Sequence, residues 1–250
     1  MIRLIRAEFA KLRTTQVWFW LLLAAVAVTV LLLVGQLAPS DNVRDYAQAV
    51  DALTVSGAAY VVVFVLGVLG VTTEFRYQTI TSTVLVTPSR WALITAKLIT
   101  YGLVGAIYAL ICVAVEMAVA LPWLASKNID ISPTSEHVPR ALLGVFAVVA
   151  LFGVVGLGAG ALIRNQIVAV SVGVIWLLVL NNVLLAIPGV KHVFPYTPAG
   201  AADALFTVTG SRDANGVTLL SGGGGVLVLL LWAFVPAVLG AGITMNRDIT

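Results

Sequence analysis

Residues Val17–Leu37 read VWFWLLLAAVAVTVLLLVGQL, a run of about 21 residues without a single Asp, Glu, Lys or Arg. A helix needs about 20 mostly apolar residues to cross the hydrocarbon of a bilayer, and this run meets that length. It follows the basic stretch MIRLIRAEFAKLRTT, as the apolar core of a secretory signal would. Such a core has about 7–15 residues, so a retained anchor is expected. Five further segments qualify in the same way, at about 55–73, 92–121, 141–163, 167–187 and 222–244. The expected fold is therefore all-α, a polytopic membrane protein with six transmembrane helices.

Composition agrees. The 250 residues are 60% hydrophobic and 10% charged, with mean hydropathy +1.06. A soluble domain carries about 25% charged residues. The net charge of +3 is small and scattered, which argues against nucleic acid as a partner. The single cysteine, Cys112, lies in an apolar run and has no second cysteine to pair with in the chain.

Basic residues set orientation, because cytoplasmic loops are enriched in Lys and Arg. With the N-terminus inside, nine fall on the cytoplasmic side: Arg3, Arg6, Lys11, Arg13, Arg76, Arg90, Lys97, Arg164 and Arg247. Five fall outside: Arg44, Lys127, Arg140, Lys191 and Arg212. Both termini are thus expected in the cytoplasm. Ahead of the first span, Ile2, Ile5, Phe9 and Leu12 share one helical face, with the basic residues largely off it. That pattern describes an amphipathic helix over residues 1–16 lying in the headgroup plane. Residues 17–250 then form the transmembrane domain. Its longest outer loop is 188–221, where residues 198–208 are expected to form a short helix capping the outer face.

Several chemistries are missing from the sequence. It contains no GxxxxGK[ST] phosphate loop, and His137 and His192 belong to no HExxH metal motif. Ser171 has no acid or base near it in sequence. Four features remain. Glu116 lies about two-thirds of the way through the third span, where an ionisable group marks either a polar site such as a proton relay or a side chain reaching Lys127 and the outer interface. Asn181 and Asn182 interrupt the fifth span and need hydrogen-bond partners, from another helix or along a path. Gly156 and Gly160 in the fourth span have the GxxxG spacing that permits close helix packing, within the chain or between chains. Residues 70–97, GVTTEFRYQTITSTVLVTPSRWALITAK, leave the second span and place Glu74, Arg76, Gln78 and Arg90 outside the lipid before re-entering through Pro88 and Trp91. Thr87 and Pro88 read as the start of the third helix, with Lys97 near enough to that start to snorkel back. The segment 74–90 is the best handle for a soluble partner.

RAEFAKLRTT before the first span, TEFRYQTI after the second, TPSRWALITAK into the third and the terminal NRDIT resemble the ABC-2 type permeases, notably the short actinobacterial ones. The resemblance implies a permease without a nucleotide site, working as a pair with a second permease copy or a homologous permease. It also implies a separate cytoplasmic ATPase that holds the ATP and Mg, so no cofactor in this chain. On that resemblance Glu74, Phe75, Arg76 and Thr79 belong to the coupling element that docks on the ATPase, and Glu8 and Lys11 to the connecting helix beside it. The second and fifth spans would line the central path, which makes Phe64, Asn181 and Asn182 substrate contacts. The implied function is export of an apolar or amphipathic compound. The alternatives are a proton-coupled secondary transporter using Glu116 and a non-transporting immunity or scaffold subunit.

Overall fold

A computed structural model describes residues 1–38, 46–77, 90–127, 137–207, 213–214 and 216–246. Helix α1 (Ile2–Thr14) precedes the first span, α2 (Val17–Leu37). A short α3 (Tyr46–Ala52) and a 3-10 turn (Val55–Ala59) lead into α4 (Tyr60–Arg76), the second span. The third and fourth spans are α5 (Arg90–Ser126) and α6 (Val138–Ile163). The fifth comprises α7 (Gln166–Ile175), a π-helical turn (Trp176–Leu180) and α8 (Asn181–Ala186). A 3-10 segment (Lys191–Tyr196), α9 (Pro198–Phe206) and a two-residue antiparallel pair, β1 (Asp213–Ala214) with β2 (Val217–Thr218), precede the sixth span, α10 (Gly222–Asn246). Among the described residues six helices are thus long and apolar enough to cross a membrane, as expected.

The fourth and second spans form the centre, 67% and 56% buried, while the first, fifth and sixth are only 17%, 17% and 22% buried and sit at the periphery. Glycines explain the central contact. A side chain on Gly67 would strike the Gly153 carbonyl, and one on Gly156 the carbonyl of Phe64. Gly160 lies on Val68, so the GxxxG pair of α6 serves α4 of the same chain. The hairpin between the fourth and fifth spans is as tight as its three residues require. Arg164 ends α6 in the left-handed region at φ 57°, and the Asn165 side chain accepts from the N–H groups of Ile167 and Val168.

Three boundaries differ from expectation. Helix α4 runs on through Glu74 and Phe75 to Arg76, so these residues form its last turn and not a free loop. Helix α5 passes through Pro122 to Ser126, because Ala120 and Leu124 are buried against Leu33, Leu37 and Leu53 and draw the helix onward. The helix in the outer loop exists, but it is not a hat. Pro198 to Ala202 and Ala204 are buried, and Gly144 of α6 and Gly225 of α10 admit the α9 backbone at van der Waals range. Pro198 shares a groove with Trp232, which lies about ten residues and hence about 15 Å into α10. Helix α9 is therefore inserted between spans, made possible by its Ala- and Gly-rich sequence. The glycine run that opens α10 serves the same close approach at Gly225, and Ser221 caps it by accepting from the Gly224 N–H at 3.2 Å.

Candidate functional site: a four-charge ring where three helices meet

At one end of the bundle the last turn of α4, the second and third turns of α5 and the middle of α1 converge. Phe9 and Leu12 of α1 pack on the core there, which turns Glu8 inward. Lys11 Nζ donates to Glu8 Oε1 at 2.8 Å and to Glu74 Oε1 at 2.8 Å. Lys97 Nζ donates to Glu8 Oε2 at 2.7 Å and to Glu74 Oε1 at 2.7 Å, and lies 3.4 Å from the Gly70 carbonyl. Two ammonium groups and two carboxylates thus alternate around a closed, electrically neutral ring. Glu8, Glu74 and Lys97 are 3%, 7% and 5% exposed, so three of the four charges are out of water. Only such mutual neutralisation makes that burial tolerable, since an unpaired charge there would cost several kcal/mol. Lys11 is half-buried. That burial works against its charge, but hydrogen bonds to Glu74 and Glu8 outweigh it and raise its pKa above the ordinary lysine value.

The ring joins two residues assigned to the connecting helix, Glu8 and Lys11, to one assigned to the coupling element, Glu74. Sequence reasoning placed Lys97 as a snorkelling flank; it is instead buried and paired. A signal was present: Glu8 sits on the apolar stripe between Ile5 and Leu12, and a carboxylate on a buried face calls for a cation. The neighbours of Glu74 are also tied. Arg164 lies over the Phe75 ring at 5.6 Å, and Arg76 Nη1 reaches Gln166 Oε1 at 3.3 Å. The α4 terminus is therefore fastened to α1, to α5 and to the turn between the fourth and fifth spans. Thr79, Thr87 and Pro88 lie outside the described residues.

Glu116 does not reach the outer interface: it is fully buried and accepts from the Ser56 N–H at 2.8 Å and from the Ser56 hydroxyl. Lys127 does not reach it, donating instead to the Leu37 carbonyl at 2.5 Å. The carboxylate caps the 3-10 turn that starts the second span, and it ties that start to α5.

The residues assigned to a substrate path sit in different surroundings. Phe64 is buried, its ring lying where a side chain on Gly173 would be. Asn181 is buried; its Nδ2 donates to the Leu177 carbonyl at 3.2 Å, while its Oδ1 has no partner among the described residues. Asn182 is exposed on another face, bonded to the Leu178 carbonyl at 2.7 Å. The π-helical turn just before the two amides shifts the register of the span by one residue, which no feature of WLLVLNNVLLA discloses.

A family model described as ABC-2 family transporter protein matches residues 4–182. The chain belongs to the ABC-2 transporter family. The match takes in α1 from Leu4, the first four spans, the fifth as far as Asn182 and all four residues of the ring. Among curated proteins none matches the chain. Membership makes this multi-pass protein the membrane-spanning permease component of an ABC transporter, and it implies association with an ABC ATPase.

Proposed function

We propose that the chain is the permease subunit of an ATP-driven exporter of an apolar or amphipathic compound. A separate ATPase docks at the end bearing the charge ring, and the substrate passes between this chain and a second permease. The observation that carries this reading is the ring itself, in a member of a transporter family. It fastens the connecting helix to the second and third spans on either side of the segment assigned to docking. A displacement of that segment then reaches two spans and α1 together. The excess of basic residues at this end supports its being cytoplasmic.

ATP binding closes the ATPase pair and shifts the permease from inward-open to outward-open, through the nucleotide's differential affinity for the two states. Hydrolysis resets it. Phe64 and Asn181, on the second and fifth spans, are the side chains expected to meet substrate, with Asn182 contributing from the exposed face. ATP and Mg belong to the ATPase. Purification of the tagged chain in mild detergent, with mass spectrometry of its companions, tests the proposal. A soluble ATPase at about equal stoichiometry is the expected result. Transport by vesicles containing the chain without any ATPase would instead establish an ion-coupled carrier. A phenotype indifferent to an ATPase-dead partner would establish a scaffold or immunity subunit.

A further inference from the structure

Two of the residues assigned to docking are already held, by the turn between the fourth and fifth spans. Phe75 and Arg76 close the last turn of α4. Arg164 lies over the Phe75 ring at 5.6 Å, and Arg76 Nη1 donates to Gln166 Oε1 at 3.3 Å. Arg164 ends α6, and Gln166 is the first residue of α7. Among the described residues the Arg76–Gln166 bond is the one side-chain hydrogen bond from the fifth span to another span. The residue type at 164 fits this clasp. Its backbone is left-handed at φ 57°, where Gly or Asn stands at lower cost. An arginine at such a position is there for its side chain, and its guanidinium stands over Phe75.

The end of α4 therefore carries two fastenings of different kinds. The ring ties it to α1 and α5 through charges that are largely out of water. The clasp ties it to the fifth span at the surface, with Arg76 exposed and Arg164 and Gln166 partly so. Exposed cation–π pairs and hydrogen bonds are among the weaker ties a protein makes. A soluble partner that engages Phe75 and Arg76 takes the groups that hold Arg164 and Gln166. We propose that the clasp is an autoinhibitory latch: without the ATPase, Phe75 and Arg76 hold the start of the fifth span to the second, and docking of the ATPase on them releases it. The inference rests on the docking reading above. A weak tie is enough for the purpose, because the fifth span is only 17% buried.

The test uses the full-length chain in mild detergent. Spin labels on Ile99 and Val168, both exposed, report the distance from the third span to the start of the fifth in the chain alone. Gln166→Ala removes the acceptor, and Arg164→Asn suits the left-handed turn but removes the cation. Both should shift the distance distribution toward the one that the wild-type complex adopts with nucleotide. Gln166→Glu, which turns the hydrogen bond into an ion pair, should narrow it about the latched distance. Affinity for the ATPase that copurifies with the wild-type chain is measured on the same variants. Loss of one exposed contact should tighten that binding by about two- to fivefold, and Gln166→Glu should weaken it. Opposite signs at one position are not produced by a residue that merely supports the fold. Unchanged distances in all three variants would overturn the latch. Weaker ATPase binding in Gln166→Ala and Arg164→Asn would overturn it too, assigning the turn to the docking surface. A wild-type chain that binds no ATPase would overturn the docking reading and the release step with it; the label distances, which need no ATPase, tell that failure from failure of the clasp.

Discussion

Replacing Lys97 by Met keeps the length and the apolar stem of the side chain but deletes one corner of the ring. Glu8 and Glu74 then share Lys11 alone, with Lys11 half outside the protein and the two carboxylates 3% and 7% exposed. Lys97 makes two charge-assisted bonds of 2.7 Å, each worth about 1.5–3 kcal/mol. Removing one partner of a buried ion pair costs about 3–5 kcal/mol because the remaining charge is stranded. The two routes agree on about 3–5 kcal/mol, which for a chain of this size lowers the melting temperature by about 6–20 °C. Combining Lys97→Met with Glu8→Gln restores neutrality, leaving Lys11 facing Glu74. The double variant should therefore lose less than the sum of the single losses, with a coupling of about 1–3 kcal/mol. Thermal unfolding in mild detergent, followed by circular dichroism, measures all three. Additive losses, or a Lys97→Met loss below about 1 kcal/mol, would mean that the ring is a loose surface cluster and would remove the basis for its role in transmission. In Glu74→Arg a cation faces both Lys11 and Lys97, so that change is expected to unfold the ring end, and a test of uncoupling calls for Glu74→Gln.

Gly156→Leu, which drives a side chain into the Phe64 carbonyl, should abolish expression of folded protein, whereas Gly35→Ala, with nothing within 4 Å, should be silent in the same fluorescence-detected gel filtration. Glu116→Gln keeps an acceptor for the Ser56 N–H and should retain ATP-dependent transport, while Glu116→Leu, leaving that donor unpaired, should cost about 1–3 kcal/mol; loss of transport in Glu116→Gln with unchanged stability would return Glu116 to proton chemistry. Spin labels on Tyr77 and Ile99 should keep their separation when the ATPase binds nucleotide, while labels on Val168 and Ile99 should change theirs.

The six spans were legible because a bilayer imposes a length and a composition on each, and both are local properties. Small residues announced close packing at Gly156 and Gly160, but spacing alone could not name α4 as the partner. That depended on Gly67 standing opposite, a fact of tertiary register. The ring was half legible. Glu8 on the apolar stripe and Glu74 at a span end were visible, but Lys97 read as an interfacial cation, because snorkelling and burial look alike until the opposing helix is in place. Helix α9 was legible in composition but its depth was not, because an Ala- and Gly-rich segment between spans suits either exposure on top or insertion against Gly144 and Gly225, and only the tertiary register of those glycines decides. The π-helical turn was not legible, since one inserted residue in an apolar helix leaves no mark on hydropathy.

The expectation about label pairs follows from how the second span is held. Its start is tied to α5 by Ser56 and Glu116, and its end is tied to α5 by Glu74 and Lys97. Buried polar ties at both ends of one helix fix its axial position. An apolar face can slide by a turn at little cost, whereas these ties fit one register only. Glycine contacts along its middle then bind α6 to it. Spans two, three and four consequently move as one body. The fifth span is different: it is 17% buried, begins at a left-handed residue beside a three-residue turn, and is interrupted by a π-helical turn. Its contacts with the central body include the Phe64 ring laid against Gly173, which is apolar, and an exposed 3.3 Å hydrogen bond from Arg76 to Gln166 at its first turn. If alternating access involves motion within this chain, the fifth span is where the least free energy opposes it. The charge ring, by contrast, belongs to the part that is moved whole.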